Sequence, residues 1–320
     1  SAKTGKGIPE LLENILVAHD WSDRADGGAE KGLRLAGGMR LFWIVRGHFD
    51  LGLRTTRQAL DREGAALATA ARGRALSSGG LLAHRVGDQE SARALLEESI
   101  SIAHSVGDHS GAARGLNFLG IVTFTRGDAR AAHGYLEGAI ALAEGVDRAS
   151  ALNSLATIMN VEGDPRQAIL LYEQGLALAR GVGSSSHEAA ILENLSMARI
   201  VLEEYAGARA SALEALELGE SVALIATRQG VLEIVSLLAA AGGEPERAAR
   251  LWGAADALLE RIGGQRSALK ERVMLPLITR TRQALGEAGF AAAYASGLAL
   301  ADDAAAAEAR EWLRGAAGRG

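Results

Sequence analysis

Apolar and small side chains recur along most of this chain at i, i+3, i+4 and i+7, the rhythm of amphipathic helices. A short polar mark interrupts that rhythm again and again. It is Gly-Asp followed four residues later by Ala, as Gly87-Asp88 with Ala92, Gly127-Asp128 with Ala132, and Gly163-Asp164 with Ala168. Looser copies are Gly47 with Gly52, Glu203-Glu204 with Ala208, and Gly243-Glu244 with Ala248. The marks begin at 47, 87, 127, 163, 203 and 243, so the spacing is 40 residues with one interval of 36. A fixed period of this length predicts stacked helical hairpins. The four missing residues amount to about one helical turn, so the faces stay in phase.

Each hairpin repeats the same pattern around its mark. Eleven residues before it stand Ala36, Leu76, Leu116, Leu152, Leu192 and Leu232. Seven before it stand Arg40, Gly80, Gly120, Ala156, Ser196 and Ser236, small in all but the first. Twelve after it come Ala59, Ser99, Ala139, Gly175, Ala215 and Ala255. Nine after it, Leu96, Leu136, Tyr172 and Trp252 are bulky, against Thr56 and Ala212. Small residues let two helices cross closely, and bulky ones fill the space beside the crossing. Arg40 at a crossing position makes the first hairpin atypical, as terminal repeats often are.

This register resembles the tetratricopeptide repeat over about 29–262. It departs from that repeat in its period of 40 and in lacking the closing Pro, so the second helix or its exit turn is longer, after Leu60, Ile100, Leu176 and Leu216. The tail resembles more. Ala249-Arg250-Leu251-Trp252-Gly253-Ala254-Ala255 with Ala257-Leu258 and Glu260, then Ala284-Leu285-Gly286-Glu287, Phe290, Ala293 and Gly297, are similar to the end of bacterial signal-transduction regulatory ATPases of the maltose-regulon-activator type. Glu13-Asn14-Ile15 with Ala18 and Trp21 resembles the segment entering the repeats of that family. The expected fold is all-α: a right-handed superhelical solenoid of six helical hairpins with helical caps. Residues 1–28 form a lead-in and N-terminal capping helix, 29–262 the six repeats, and 263–320 the C-terminal capping helices and a frayed tail.

Within the tail, Leu269, Val273, Leu275, Leu277, Ile278 and Leu285 form a stripe that can seal the solenoid's end, and Pro276 is expected to kink or restart its helix. Gly183-Ser184-Ser185-Ser186 reads as an inter-repeat turn. The ends, Ser1–Gly7 and Gly315–Gly320, should fray. Gly5-Lys6-Gly7 lacks the upstream glycine, strand and hydroxyl of a phosphate loop.

Composition narrows the function. The chain has no Cys, which excludes a disulfide frame, a thiolate metal site and a Cys nucleophile, and fits a reducing, cytoplasmic setting. Net charge is −5 with both signs mixed, so there is no electrostatic footprint for nucleic acid. No apolar run reaches a membrane span. Seven His are scattered; His104 and His109 flank a helix-breaking Gly107 and do not share a face for a metal. No nucleophile, base and carboxylate stand at informative spacing, so catalytic residues, metal and cofactors are all expected to be absent.

In the repeat this chain resembles, the first helix of each hairpin lines a groove. The corresponding places here hold Arg34, Arg74 and Arg114 thirteen before the mark, Asn117, Asn153, Glu193 and Glu233 ten before, and His84 and Asn160 three before. The Lys/Asn clamp that some relatives use for a C-terminal carboxylate is missing. The arginines suit an anionic ligand in forked geometry. The function expected is recognition of a protein or peptide segment, either a separate partner or an ATPase or effector domain of the same polypeptide. A small-molecule inducer is the other ligand class the resemblance implies.

Overall fold

The computed structural model describes residues 8–24, 27–222, 224–262, 266 and 268–315. Of the ends expected to fray, Ser1–Gly7 and 316–320 lie outside the described residues, as do Gly263-Gly264, whereas Gly315 is the last residue of α16. Among the described residues the chain is helical with no strand, an all-α helical-repeat solenoid. An entry helix, α1 (Ile8–Arg24), precedes six hairpins. These pair α2 (Gly28–Gly38) and α3 (Arg40–Val45) with α4 (Phe49–Leu60), and α5 (Ala70–Arg85) with α6 (Gln89–Ser105). Next come α7 (His109–Thr125) with α8 (Ala129–Leu142) and α9 (Gly145–Glu162) with α10 (Pro165–Gly181). The last two pair α11 (Ser185–Val201) with α12 (Tyr205–Ser221) and α13 (Ile225–Ala241) with α14 (Pro245–Arg261), before α15 (Ala268–Leu298) and α16 (Asp302–Gly315). Two compact units divide within α9, at Ser154 and Leu155.

The recurring mark is a stop and a start. Gly87 takes φ 85°, a left-handed conformation that closes α5, and the Asp88 amide then reaches back to the Ala83 carbonyl at 2.9 Å. Asp88 next caps α6 by accepting the Ser91 amide at 3.1 Å. Asp128 and Asp164 do the same for α8 and α10, accepting from Ala131 and Gln167 at 3.0 and 3.1 Å. Hydrogen bonds from Ser91, followed by Arg57, hold the Asp88 carboxyl below the usual carboxylate range. Glu203 stands where the other marks have glycine and still takes φ 60°. A side chain in that region costs about 1–2 kcal/mol. Glu203→Gly should therefore raise stability by about 0.5–1 kcal/mol, read as a higher urea midpoint; a lower midpoint would show that the Glu203 side chain earns its place.

The extra residues of the 40-residue period lie in the second helices. α6, α10, α12 and α14 are each 17 residues long, whereas α8, in the short repeat, has 14. After α4 they form a turn that Arg72 clasps through the Leu60 and Ala65 carbonyls. Crossings follow the small-residue register. A Cβ on Gly120 would lie 2.7 Å from Leu136 Cγ and 3.3 Å from the Ala132 carbonyl, and one on Gly80 would meet Leu96 and the Ala92 carbonyl in the same way. At the equivalent places Ser196 and Ser236 donate to the Ala208 and Ala248 carbonyls.

In the first unit one core gathers Ile15, Trp43, Leu82, Leu96 and Leu119 and another Leu33, Leu60 and Leu76. α1 contributes Ile15 to the first, and Arg62 pins that helix by donating to Ser22 Oγ and the His19 carbonyl. In the second unit Tyr172, Leu192, Leu195, Leu216, Leu232 and Leu251 are buried.

Two expectations need correction. The first helix of the first hairpin is broken after Gly38, so α3 starts anew at Arg40. The chain stays helical through Pro276, and the non-helical residue inside α15 is Gly286, at φ 67°. Only glycine adopts that angle without penalty. Of the apolar stripe, Leu277 and Ile278 line a cleft with Ser236, Ala240 and Trp252 of the last hairpin and Leu275 is 62% exposed, while the side chains of Leu269 and Val273 lie outside those described.

Candidate functional site

In the first unit, residues from α3, α5, α6 and α7 line a small open-mouthed cleft with about 20 Å³ of free volume. Small residues make the room. Ala70, Gly73 and Ser77 on α5, Ser99 and Ala103 on α6, and Gly111 on α7 form its walls, and Ser99 Oγ closes one of them by donating to the Gly73 carbonyl at 2.7 Å. Arg40, Arg74, Arg114 and Asp108 complete the lining. Asp108 is the N-cap of α7, its carboxylate accepting the Gly111 amide at 2.8 Å.

The three arginines differ in what they already hold. Arg114 donates to Asp147 at 2.8 Å and to Ser110, and Ser110 itself donates to Asp147. Arg74 is exposed, and its Nε reaches only the Ala70 carbonyl of its own helix, at 3.3 Å. Arg40 lies over the Phe118 ring with its guanidinium carbon 5.1 Å from the centroid. Burial, then the neighbouring charge of Arg114, push the Arg40 pKa down, and Asp147 opposes them. An arginine remains charged at neutral pH through such a shift.

Ser77 Oγ is buried in the cleft wall with no hydrogen-bond partner. Asn117, one turn beyond Arg114, is 5% exposed, and its Oδ1 also lacks a partner. In the second unit both amide atoms of buried Asn160 are without one.

The remaining candidates have other surroundings. Arg34 is exposed on α2 and does not line the cleft. His84 Nδ1 pairs with Gln89 Oε1 at 3.0 Å. Asn153 is half-buried on α9. Glu193 is half-buried on α11 beside Gly230, where any Cβ would collide with its carboxylate. Glu233 is 1% exposed and is held internally, accepting from Gln229 Nε2 at 2.6 Å and Arg266 Nε at 2.8 Å. Its carboxylate is therefore part of the packing of the second unit.

Arg40 and Ser77 join the cleft as well, Ser77 from the groove register ten before its mark and Arg40 from a crossing position. Among the described residues no three His, Cys, Asp or Glu side chains gather as metal ligands would. No single helix among them is long and apolar enough to cross a membrane.

No protein-family model and no curated protein sequence matches the chain. Solved structures do. A Rap protein complexed with Competence and Sporulation Factor aligns over 95% of this chain and 82% of its own, with 13% identity and a TM-score of 0.67. The APC/C hetero-tetramer Cut9-Hcn1 aligns over 87% of this chain and 47% of its own, with 17% identity and a TM-score of 0.58. The fold is that of tetratricopeptide-like helical-repeat proteins.

Proposed function

We propose that this chain is a non-catalytic recognition module that binds a protein or peptide segment along the first helices of its hairpins. The observation that carries this reading is unspent hydrogen-bonding capacity on those helices. Ser77, Asn117 and Asn160 are buried polar side chains with atoms left unpaired. Each such group costs about 1–3 kcal/mol relative to a satisfied one. An incoming backbone or side chain that supplied the missing partner would recover part of that cost. The arginine cleft beside Ser77 and Asn117 adds charge to the same helices.

The larger setting is a cytoplasmic bacterial regulator in which this module senses or scaffolds for an ATPase and its effector. The residues similar to the end of the regulatory ATPases support it, and so does the fold shared with a Rap protein solved with a bound factor. A phosphate-loop motif encoded upstream of Ser1 in the same reading frame is the expected finding.

Selection from a random-peptide display library tests the binding role. Enriched peptides should slow amide exchange in α5 and α7 of the first unit while leaving α4 and α8 unchanged, and Asn117→Ala should weaken them. Failure to enrich any sequence, or protection confined to the second helices, would sink the reading. Nucleotide or ester turnover by the purified chain would do the same.

A further inference from the structure

We propose that the cleft lined by Arg40, Arg74 and Ser77 is a carboxylate-binding site that takes one carboxylate of a polypeptide segment. The polypeptide source rests on the recognition role above; the site itself does not.

Charge balance selects the ligand class. Three guanidinium groups, on Arg40, Arg74 and Arg114, meet two carboxylates, Asp108 in the lining and Asp147 on Arg114. One positive charge is left over, which matches a monoanion. A phosphate dianion would leave a net negative charge beside Asp108 and Asp147. Of the carboxylates that oppose an anion, Asp147 is held by Arg114 and Ser110, and Asp108 accepts the Gly111 amide through Oδ1. The spare donors therefore belong to Arg40 and Arg74. Among the described residues the Arg40 guanidinium makes its ring contact with Phe118 and no hydrogen bond. Arg74 uses Nε alone. A guanidinium offers a planar fork that fits two carboxylate oxygens, and the Ser77 hydroxyl is a further unspent donor at the wall. Burial makes the arrangement effective: Arg40 is partly desolvated beside a like charge, and a bound carboxylate relieves both strains at once.

The test is a titration of the full chain, labelled with ¹⁵N-arginine, by sodium acetate at constant ionic strength. The Nε–H resonances of Arg40 and Arg74 should shift saturably, while those of Arg34 and Arg130 should not. Arg74→Ala, an exposed position, should weaken acetate about tenfold with an unchanged circular dichroism spectrum, and Ser77→Ala should weaken it less. Inorganic phosphate should bind no more tightly than acetate. Two blocked tripeptides identify the source: acetyl-Ala-Glu-Ala-amide offers only a side-chain carboxylate, acetyl-Ala-Ala-Ala only a terminal one, and at least one should outcompete acetate. The proposal is overturned by the absence of acetate shifts, by equal shifts at all four arginines, or by tighter phosphate binding. Saturable acetate binding without any peptide enriched from the library would sink the recognition role and leave the site. Enriched peptides without acetate binding would do the reverse.

Discussion

Gly297→Ala should undock the C-terminal helices. Gly297 on α15 lies directly on the backbone of α14: a Cβ there would sit 1.8 Å from the Arg250 carbonyl oxygen and 2.9 Å from the Ala254 amide nitrogen. The opposing glycine does the same in reverse, since a Cβ on Gly253 would lie 2.2 Å from the Tyr294 carbonyl oxygen. Both obstacles are main-chain atoms, so no rotamer change relieves the clash and the helices must part. Parting them strips cover from Leu251, Ala254 and Phe290, all buried now. Overpacking of this kind costs about 1–3 kcal/mol, occasionally more. The matched control is Gly134→Ala on α8, where a Cβ meets nothing within 4 Å. There, helix propensity alone should stabilise by about 0.8–1 kcal/mol. The same chemical change thus carries opposite signs at two sites. Amide exchange in α15 should accelerate in Gly297→Ala and stay unchanged in Gly134→Ala; equal exchange in the two would mean that the α14–α15 contact is looser than described.

The positions legible in advance are those whose chemistry is local. Glycine followed by aspartate reads as a stop and a cap because a left-handed turn and an N-cap each need only a few neighbouring atoms. The small residues at the crossings are legible because they repeat, and repetition shows a constraint that one glycine does not. The failures have a common origin in long-range packing. Arg34 shares a register with Arg74 and Arg114 but stands exposed on α2, and Arg40, after the break at Gly38, lines the cleft with them. Pro276 is a breaker by composition, yet the turn falls at Gly286, ten residues on, where a positive φ is needed. Glu233 occupies a groove register and is held by Arg266, which follows Gly263-Gly264 in the sequence. Nothing near either residue in sequence announces a partner 33 positions away.

That pairing carries the other large effect. Arg266 bridges the Glu233 carboxylate and Asp256, with 16% of its side chain exposed against 1% for Glu233, and its guanidinium carbon stands 4.8 Å from the centre of the Trp252 ring. Asp256 in turn accepts from Trp252 Nε1 at 2.8 Å and from the Tyr294 hydroxyl at 2.7 Å. One side chain from a connecting segment thereby ties α13, α14 and α15 together. Burial, then the bond to Asp256, push the Tyr294 phenol up to about 12. A raised pKa favours the protonated fold, so that contribution is complete below pH about 10, the ordinary tyrosine value, and is lost as pH climbs toward about 12. Arg266→Met keeps the apolar stem and removes the charge, leaving the Glu233 carboxylate in the interior without its cation. Breaking one side of a buried pair costs about 3–5 kcal/mol, whereas replacing both sides with apolar groups is often neutral. Arg266→Met should therefore lower the urea midpoint sharply, and Glu233→Leu with Arg266→Met should recover much of the loss. The double-mutant cycle supplies the check: additive losses in the two single variants would show that Glu233 and Arg266 are not coupled and that the C-terminal helices are held by apolar contact alone.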